Sequence, residues 1–312
     1  MAPPPDRDEA PPWRLRRRRF GQLLLAPLLP LFQLLPVRAD PSSAKERELR
    51  WFALGDSGSG DASQLAVAEL MAARHRDQPV DLVIHAGDVL YDHRADALER
   101  VVRRPYAPLL AAGVPFHAVL GNHDLGSDGG RTVLGAPELG MAGRWYSFVR
   151  GPVRFVMLDT NTDARWQHQL PWLKRTLGGN RSTWIVVVGH HPILSSGLYG
   201  DDPAAHARLA PLFAAHGVQL YVNGHDHHYE RSLPRHGTTY LTVGGGGSVL
   251  RPVLARPGSA AAVSRHSIVE IRNGPTTLEL RAWDTQQRLI DTATLNADGS
   301  LVATTQPQAV PS

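Results

Sequence analysis

The sequence predicts a layered α/β fold. Short apolar runs alternate with segments of helical periodicity, and five of those runs end at a glycine followed at once by Asp, Asn or His. Strand-like stretches near 239–243, 266–271 and 276–283 add a third sign, the second sheet of a sandwich.

Leu49–Leu54 reads as a strand running into Gly55-Asp56-Ser57-Gly58. Ala62–Arg76 is helical, with Leu65, Ala68, Leu70 and Ala72 on or near one face. Val80–Ala86 is a buried strand entering Gly87-Asp88, and Ala95–Ala112 is a helix interrupted near Pro105 and Pro108. Pro115–Leu120 is a strand entering Gly121-Asn122-His123-Asp124. Trp145–Val149 and Val153–Leu158 form a hairpin about Gly151-Pro152. Gln169–Leu177 is a short helix, and the very apolar strand Trp184–Val188 enters Gly189-His190-His191-Pro192. Ala204–His216 is helical, and Val218–Val222 leads into Asn223-Gly224-His225-Asp226-His227. Residues 40–300 read as one domain, and the polar, proline-bearing end, 301–312, as a loose tail.

Composition bounds the function. The chain has 312 residues, 42% hydrophobic and 20% charged, which is ordinary for a globular protein with a sizeable core. Zero cysteines exclude a disulfide scaffold, a thiol nucleophile and any metal site built on thiolates. The net charge of +4 invites a nucleic-acid reading, but residues 1–39 hold seven arginines against three acids, an excess equal to the whole net charge. The remainder is neutral and carries no nucleic-acid-binding signal, and nothing in it specifies an oligomer.

The first 39 residues read as an export signal cleaved after Ala39, leaving 273 residues destined for the periplasm or for secretion. A basic stretch, Arg14 to Arg19, precedes an apolar one, Leu23 to Leu35, and Val37-Arg38-Ala39 offers small residues where signal peptidase prefers them. Arg17-Arg18-Arg19-Phe20 resembles the twin-arginine signal, a route for folded proteins. A membrane anchor is the weaker alternative, because the apolar run is 13 residues long and contains Pro27 and Pro30, too short to span a bilayer as a helix. A disordered arginine-rich tail is a third. The mature chain is expected to have no membrane span.

The five strand exits matter most. Glycine permits a tight exit, and ligands of open α/β sheets gather at the carboxyl ends of strands. Five polar sets should therefore converge: Asp56; Asp88 with Tyr91; Asn122 with His123; His190; and His225 with His227. These residues supply oxygen and imidazole nitrogen only, a donor set for hard or borderline transition metals. The period-two spacing of His225 and His227 lets both reach a metal centre from an extended segment. Tyr91 follows Asp88 by about one helical turn.

The ordered series Gly-Asp-Ser-Gly, Gly-Asp-Val-Leu-Tyr, Gly-Asn-His-Asp, Val187-Val188-Gly189-His190 and Gly-His-Asp-His resembles the purple acid phosphatases, a branch of the calcineurin-like metallophosphoesterases. The run His227-His228-Tyr229-Glu230-Arg231 adds to the likeness, which spans residues 50–248. One such motif is weak; five in order, each at a strand exit, are strong.

The resemblance implies a four-layer α/β/β/α sandwich, two mixed sheets flanked by helices. It assigns one metal to Asp56, Tyr91 and His227 and a second to Asn122, His190 and His225, with Asp88 bridging. Two carboxylates and a potential tyrosinate favour Fe³⁺ at the first position, while the imidazoles and amide of the second suit a divalent ion, Fe²⁺, Zn²⁺ or Mn²⁺. The implied activity is that of an acid phosphatase: a dimetal-activated hydroxide attacks a small-molecule phosphate monoester at mildly acidic pH. His123 is expected to orient the phosphate or protonate the leaving group, and Asp124 to hold a ligand or His123. Many family members have a histidine in the loop after the fourth motif; here it reads Ser195-Ser196-Gly197-Leu198-Tyr199, which puts Tyr199, a weaker acid, in that place.

Rival readings are a phosphodiesterase of the same superfamily, a metal-binding protein without catalysis, and incidental redox chemistry of an iron pair. The diesterases typically carry Asp-x-His at the first motif, where this chain has Ser57-Gly58. Among the other polar residues, His191 is a core histidine or a substrate contact, and His228 supports the site or is exposed. His85 and His117 are structural, and Asp159 supports rather than ligates. The remaining histidines, His93 among them, read as surface or packing residues. Gly244–Gly247 lacks the Lys-Ser/Thr of a P-loop and reads as a tight backbone passage near the metals.

Overall fold

The computed structural model describes residues 48–126 and 128–305. The expected leader, 1–39, and positions 306–312 of the expected tail lie outside the described residues. The strands are, in chain order, β1 (Leu49–Leu54), β2 (Leu82–His85), β3 (Phe116–Ala118), β4 (Tyr146–Arg150) and β5 (Val153–Met157). Then come β6 (Trp184–Val188), β7 (Leu220–Asn223), β8 (Tyr229–Ser232), β9 (Thr239–Val243) and β10 (Ser259–Val263). The last four are β11 (Ser267–Asn273), β12 (Thr277–Asp284), β13 (Leu289–Asn296) and β14 (Leu301–Thr305). The helices are α1 (Ala62–Asp77), α2 (Ala107–Ala111), α3 (Asn122–Leu125), α4 (Arg131–Leu134), α5 (Trp166–Gly178) and α6 (Pro203–His216), with a π-helical turn at Glu99–Arg103 and a 3₁₀ turn at Pro137–Leu139. The expected 95–112 helix is thus broken ahead of its prolines, since proline cannot donate within a helix.

Among the described residues each sheet has seven strands and mixed polarity. The first runs β14-β13-β12-β11-β1-β2-β3 and the second β10-β8-β9-β7-β6-β5-β4. Three apolar cores separate the layers. One lies between the sheets and holds Trp51, Ala53, Phe155, Trp184 and Val186. Another packs Phe52 and Leu54 against α1 and the 97–109 segment. The third packs Ile185 and Val187 against α5 and α6. Alternate residues of β1 and of β6 therefore face different cores, which is why both strands are apolar throughout. The result is the expected α/β/β/α sandwich.

Two expectations change. The late strands do not make a sheet of their own: β9 joins the second sheet beside β7, while β11 and β12 extend the first beside β1. The loose tail also starts later than position 301, because Leu301–Thr305 forms β14 and pairs with β13. In both cases the pairing partner lies far off or is set by an edge that needs covering, which local pattern does not encode. Among the described residues no helix is long and apolar enough to cross a membrane.

Candidate metal centre

Parallel strands β1, β2 and β3 end at Asp56, Asp88–Tyr91 and Asn122; β6 and β7 of the other sheet end at His190 and His225–His227. Backbone bonds tie these exits together: Asp56 N–H donates to the Gly87 carbonyl at 2.9 Å and Gly224 N–H to that of His190 at 3.0 Å. Asp56, Asp88 and His225 hold φ of 59°, 54° and 69°, left-handed backbone that non-glycine residues seldom adopt and that concentrates at functional sites. The strain turns each side chain inward. Gly121 packs so closely on Asp88 that a Cβ would collide with its carboxylate.

All seven expected donors come together. Tyr91 Oη lies 3.2 Å from His227 Nε2 and 3.4 Å from Asp56 Oδ1, and His227 Nε2 is 3.5 Å from Asp56 Oδ1. His190 Nε2 lies 3.1 Å from Asn122 Oδ1, 3.2 Å from His225 Nδ1 and 3.4 Å from Asp88 Oδ2. Donors about 2.1 Å from a shared cation at right or tetrahedral angles stand roughly 3.0–3.4 Å apart, so these spacings fit two ligand sets. The proton positions agree. His190 Nδ1–H donates to the Ala86 carbonyl at 2.8 Å and His227 Nδ1–H to that of Val249 at 2.7 Å. Each ring thereby turns its Nε2 toward the oxygen donors, the atom through which an imidazole would hold a cation.

The remaining oxygens fix the carboxylates. Asp56 Oδ2 accepts His225 N–H and Asp88 Oδ1 accepts His123 N–H, each at 2.9 Å. Electrostatics shows what the cluster lacks. Burial alone would lower the His190 imidazolium, but the Asp88 carboxylate beside it lifts it to about 10. Burial, then the His190 and His191 charges, push His225 down to about 2. Burial and the Asp56 and Asp88 charges raise the Tyr91 phenol, so a tyrosinate there needs a strongly polarising cation. A proton on His190 thus stands beside Asp88 where the donor set offers a place for a cation.

Around this cluster, His123 is exposed and its ring centroid lies 4.6 Å from that of Tyr91. Asp124 is fully buried and accepts the N–H groups of Leu90 and Gly121, both at 2.8 Å, thereby joining the two donor loops. Tyr199 stacks on His225, centroids 4.2 Å apart and planes at 21°. His191 approaches the His225 ring at 4.5 Å and contacts Thr160 Oγ1 at 3.0 Å. Asp159 stands off the donors, pairing with Arg144 at 2.6 Å. His228 is buried and meets Glu230 at 3.3 Å, and Glu230 accepts from Ser196 N–H at 2.7 Å, holding the 195–199 loop. Gly244 crosses so near the centre that a Cβ would lie 3.1 Å from Asp56 Oδ2.

Sequence reasoning missed Arg251. It donates to the His225 carbonyl at 2.9 Å, and its guanidinium lies 4.8 Å from the Tyr199 ring centroid. It belongs to no motif, and only the folded loop brings it in. Nor did His93 signal its role: its Nε2–H donates to the His123 carbonyl at 2.9 Å. A polar cavity of about 220 Å³, lined by Ser195, Glu230, Arg235 and Arg256 among others, includes none of the seven donors.

The family model described as calcineurin-like phosphoesterase matches residues 49–229, more than half of the chain. The chain belongs to the calcineurin-like phosphoesterase family. Purple acid phosphatases are among its relatives. It is 29% identical over 235 residues to purple acid phosphatase 7 of Arabidopsis thaliana, covering 64% of this chain and 70% of that one. It is 27% identical over 257 residues to tartrate-resistant acid phosphatase type 5 of Rattus norvegicus, covering 68% and 76%. In fold, this phosphoesterase is similar to a purple acid phosphatase from yellow lupin seeds, with a TM-score of 0.72 at 19% identity over 81% of this chain and 54% of that one. It is also similar to an anchor protein of the inner membrane complex of Plasmodium, TM-score 0.70 at 21% identity, covering 80% and 89%. Those structural likenesses establish the fold, so activity must be argued from the donors.

Proposed function

We propose that the protein is an exported acid phosphatase that hydrolyses phosphate monoesters at a dinuclear centre held by Asp56, Asp88, Tyr91, Asn122, His190, His225 and His227. One observation carries the reading: the Tyr91 phenol oxygen converges with Asp56 and His227 at 3.4 and 3.2 Å. The diesterase alternative wants a histidine at position 58 instead, and Gly58 is so tightly packed that a Cβ there would strike the Val89 carbonyl. Two anionic carboxylates with a phenol favour Fe³⁺ beside a divalent ion.

A cation pair at these donors supplies Lewis acidity and an activated water for in-line attack on phosphorus. The chain supplies the rest. His123 N–H fixes one Asp88 oxygen and leaves the other facing His190. The exposed His123 imidazole, set against Tyr91, is placed to give a proton to the departing alkoxide oxygen. Tyr199 sets a phenol ring over His225, and the Arg251 guanidinium lies 4.8 Å from that ring. A proton donor for an alkoxide works best when charged, which supports turnover on the acid side of neutrality. The basic-then-apolar leader ending at Ala39 supports export.

The test compares para-nitrophenyl phosphate with its bis ester, using protein purified with its native metals. Faster turnover of the monoester, with release of inorganic phosphate, is the expected result. Preference for the bis ester would move the protein to the diesterases, and inertness toward both would leave a metal-binding protein without catalysis. N-terminal sequencing of exported material should begin at Asp40.

A further inference from the structure

The polar cavity of about 220 Å³ that none of the seven donors lines has room for roughly seven waters. Its carboxylates are already spent. Asp201 Oδ1 accepts Ser195 N–H and an Arg256 N–H, both at 3.0 Å. Glu230 accepts Ser196 N–H at 2.7 Å and the Ser196 hydroxyl at 2.6 Å, and His228 stands 3.3 Å away. Its hydrogen-bond donors are not spent. Among the described residues the Arg235 guanidinium has no ion pair and no hydrogen bond. Both side-chain bonds of Arg256, to Asp201 and to the Ser195 carbonyl, leave from Nη2, so Nε and Nη1 stay free. Ser259 Oγ is buried without a partner beside the filled Glu230. The Tyr240 hydroxyl is also uncommitted; burial raises the pKa of that phenol and the Arg235 charge lowers it, which places the guanidinium near the ring oxygen.

The two arginines share a wall. Arg235 packs on Gly258, two residues beyond Arg256, so tightly that a Cβ there would lie 2.6 Å from Arg235 Nη2. A cavity whose free groups are all donors, two of them guanidinium, calls for a ligand that is all acceptor and anionic. Four separate donor groups match the four oxygens of a tetrahedral anion, where a carboxylate offers two. We infer that this cavity is a second anion site, distinct from the metal centre, and that it takes a tetrahedral oxyanion: inorganic phosphate, or the phosphoryl end of a small ester. Arg235 supplies the uncompensated charge, and Arg256, Ser259 and Tyr240 complete the shell. The site stands whether or not the centre is catalytic.

The test is calorimetric titration of the metal-loaded protein with inorganic phosphate, in about 0.15 M chloride to screen diffuse attraction. The expected isotherm contains a component that Arg235→Gln weakens roughly tenfold or more and Ser259→Ala several-fold. Arg235→Lys, which keeps the charge and loses the fork, should restore part of it. Urea denaturation should give all three variants midpoints close to wild type, since neither side chain has a partner to lose. Acetate should lack the component. Propylphosphonate bound as tightly as phosphate assigns the site to the phosphoryl end of an ester, and phosphate bound alone assigns it to the free anion. Phosphate isotherms that coincide for wild type, Arg235→Gln and Ser259→Ala overturn the site, and so does acetate binding as tight as that of phosphate. Failure of the phosphatase reading shows elsewhere, as no turnover of either nitrophenyl ester, whatever these titrations give.

Discussion

His190 Nε2 stands 3.4 Å from Asp88 Oδ2, while the proton on its other ring nitrogen is committed to the Ala86 carbonyl at 2.8 Å. Either a proton or a metal must sit between the two. Divalent metal at a hundred times its Kd should stabilise the folded chain by about 2.7 kcal/mol, raising Tm by roughly 5–10 °C. Differential scanning calorimetry with manganese, zinc and chelator would measure it, and His190→Ala should lose most of the gain. No response to any metal would contradict the ligand assignment.

Burial and two neighbouring carboxylates raise the Tyr91 phenol, so only a strongly polarising ion can hold it as a tyrosinate. Protein purified with native iron should therefore show a visible charge-transfer band that Tyr91→Phe abolishes. A band that survives in the variant would remove Tyr91 from the centre.

His123 touches the centre through its backbone, and its exposed ring lies against Tyr91. His123→Ala should retain both metals by elemental analysis and lose about 10²–10⁴-fold in kcat. Unchanged turnover on an ester with a poor leaving group would end its role as proton donor.

Glu230 anchors the loop bearing Tyr199. Burial would raise its pKa, but bonds from His228 and Ser196 hold it below the ordinary carboxylate value. A depressed carboxylate stabilises the fold above its unfolded pKa, and that contribution is lost as pH falls through the folded value, which lies below the ordinary glutamate range. Between pH 5 and 3, wild-type stability should fall by roughly 1–2 kcal/mol more than that of Glu230→Gln. Parallel denaturation curves for the two would indicate that Glu230 does not carry this load.

Arg231 and Asp291 are both buried and join β8 of one sheet to β13 of the other, with Nε–Oδ2 at 2.6 Å and Tyr229 donating to the same carboxylate at 2.7 Å. Asp291→Ala leaves a buried guanidinium without its partner and should cost about 3–5 kcal/mol in urea denaturation. A loss under 1 kcal/mol, on the order of an exposed pair, would show that water reaches Arg231.

The strand exits were legible because their signal is local: an apolar run, a glycine, then a polar side chain. Asp56, Asp88, Asn122, His190 and His225 could be found that way, and Tyr91 and His227 follow at fixed offsets. Sheet membership was not legible, since β11 lies over two hundred residues from its partner β1. β8 was missed for a different reason: Tyr-Glu-Arg-Ser has no apolar alternation, and it is buried only because Ser196, His228 and Asp291 satisfy its charges. Arg251 left no trace because its contacts are made by a loop whose path depends on the folded glycine run before it.

The donors divide by chemistry along the seam of the sandwich. The first sheet contributes only oxygens, from Asp56, Asp88, Tyr91 and Asn122; the second contributes only imidazole nitrogens, from His190, His225 and His227. A chain arrested with one sheet formed would offer either an all-oxygen nest suited to magnesium or calcium, or a histidine cluster suited to zinc or copper. Mixed coordination requires both halves, so binding of ions by all seven donors would report completed tertiary assembly.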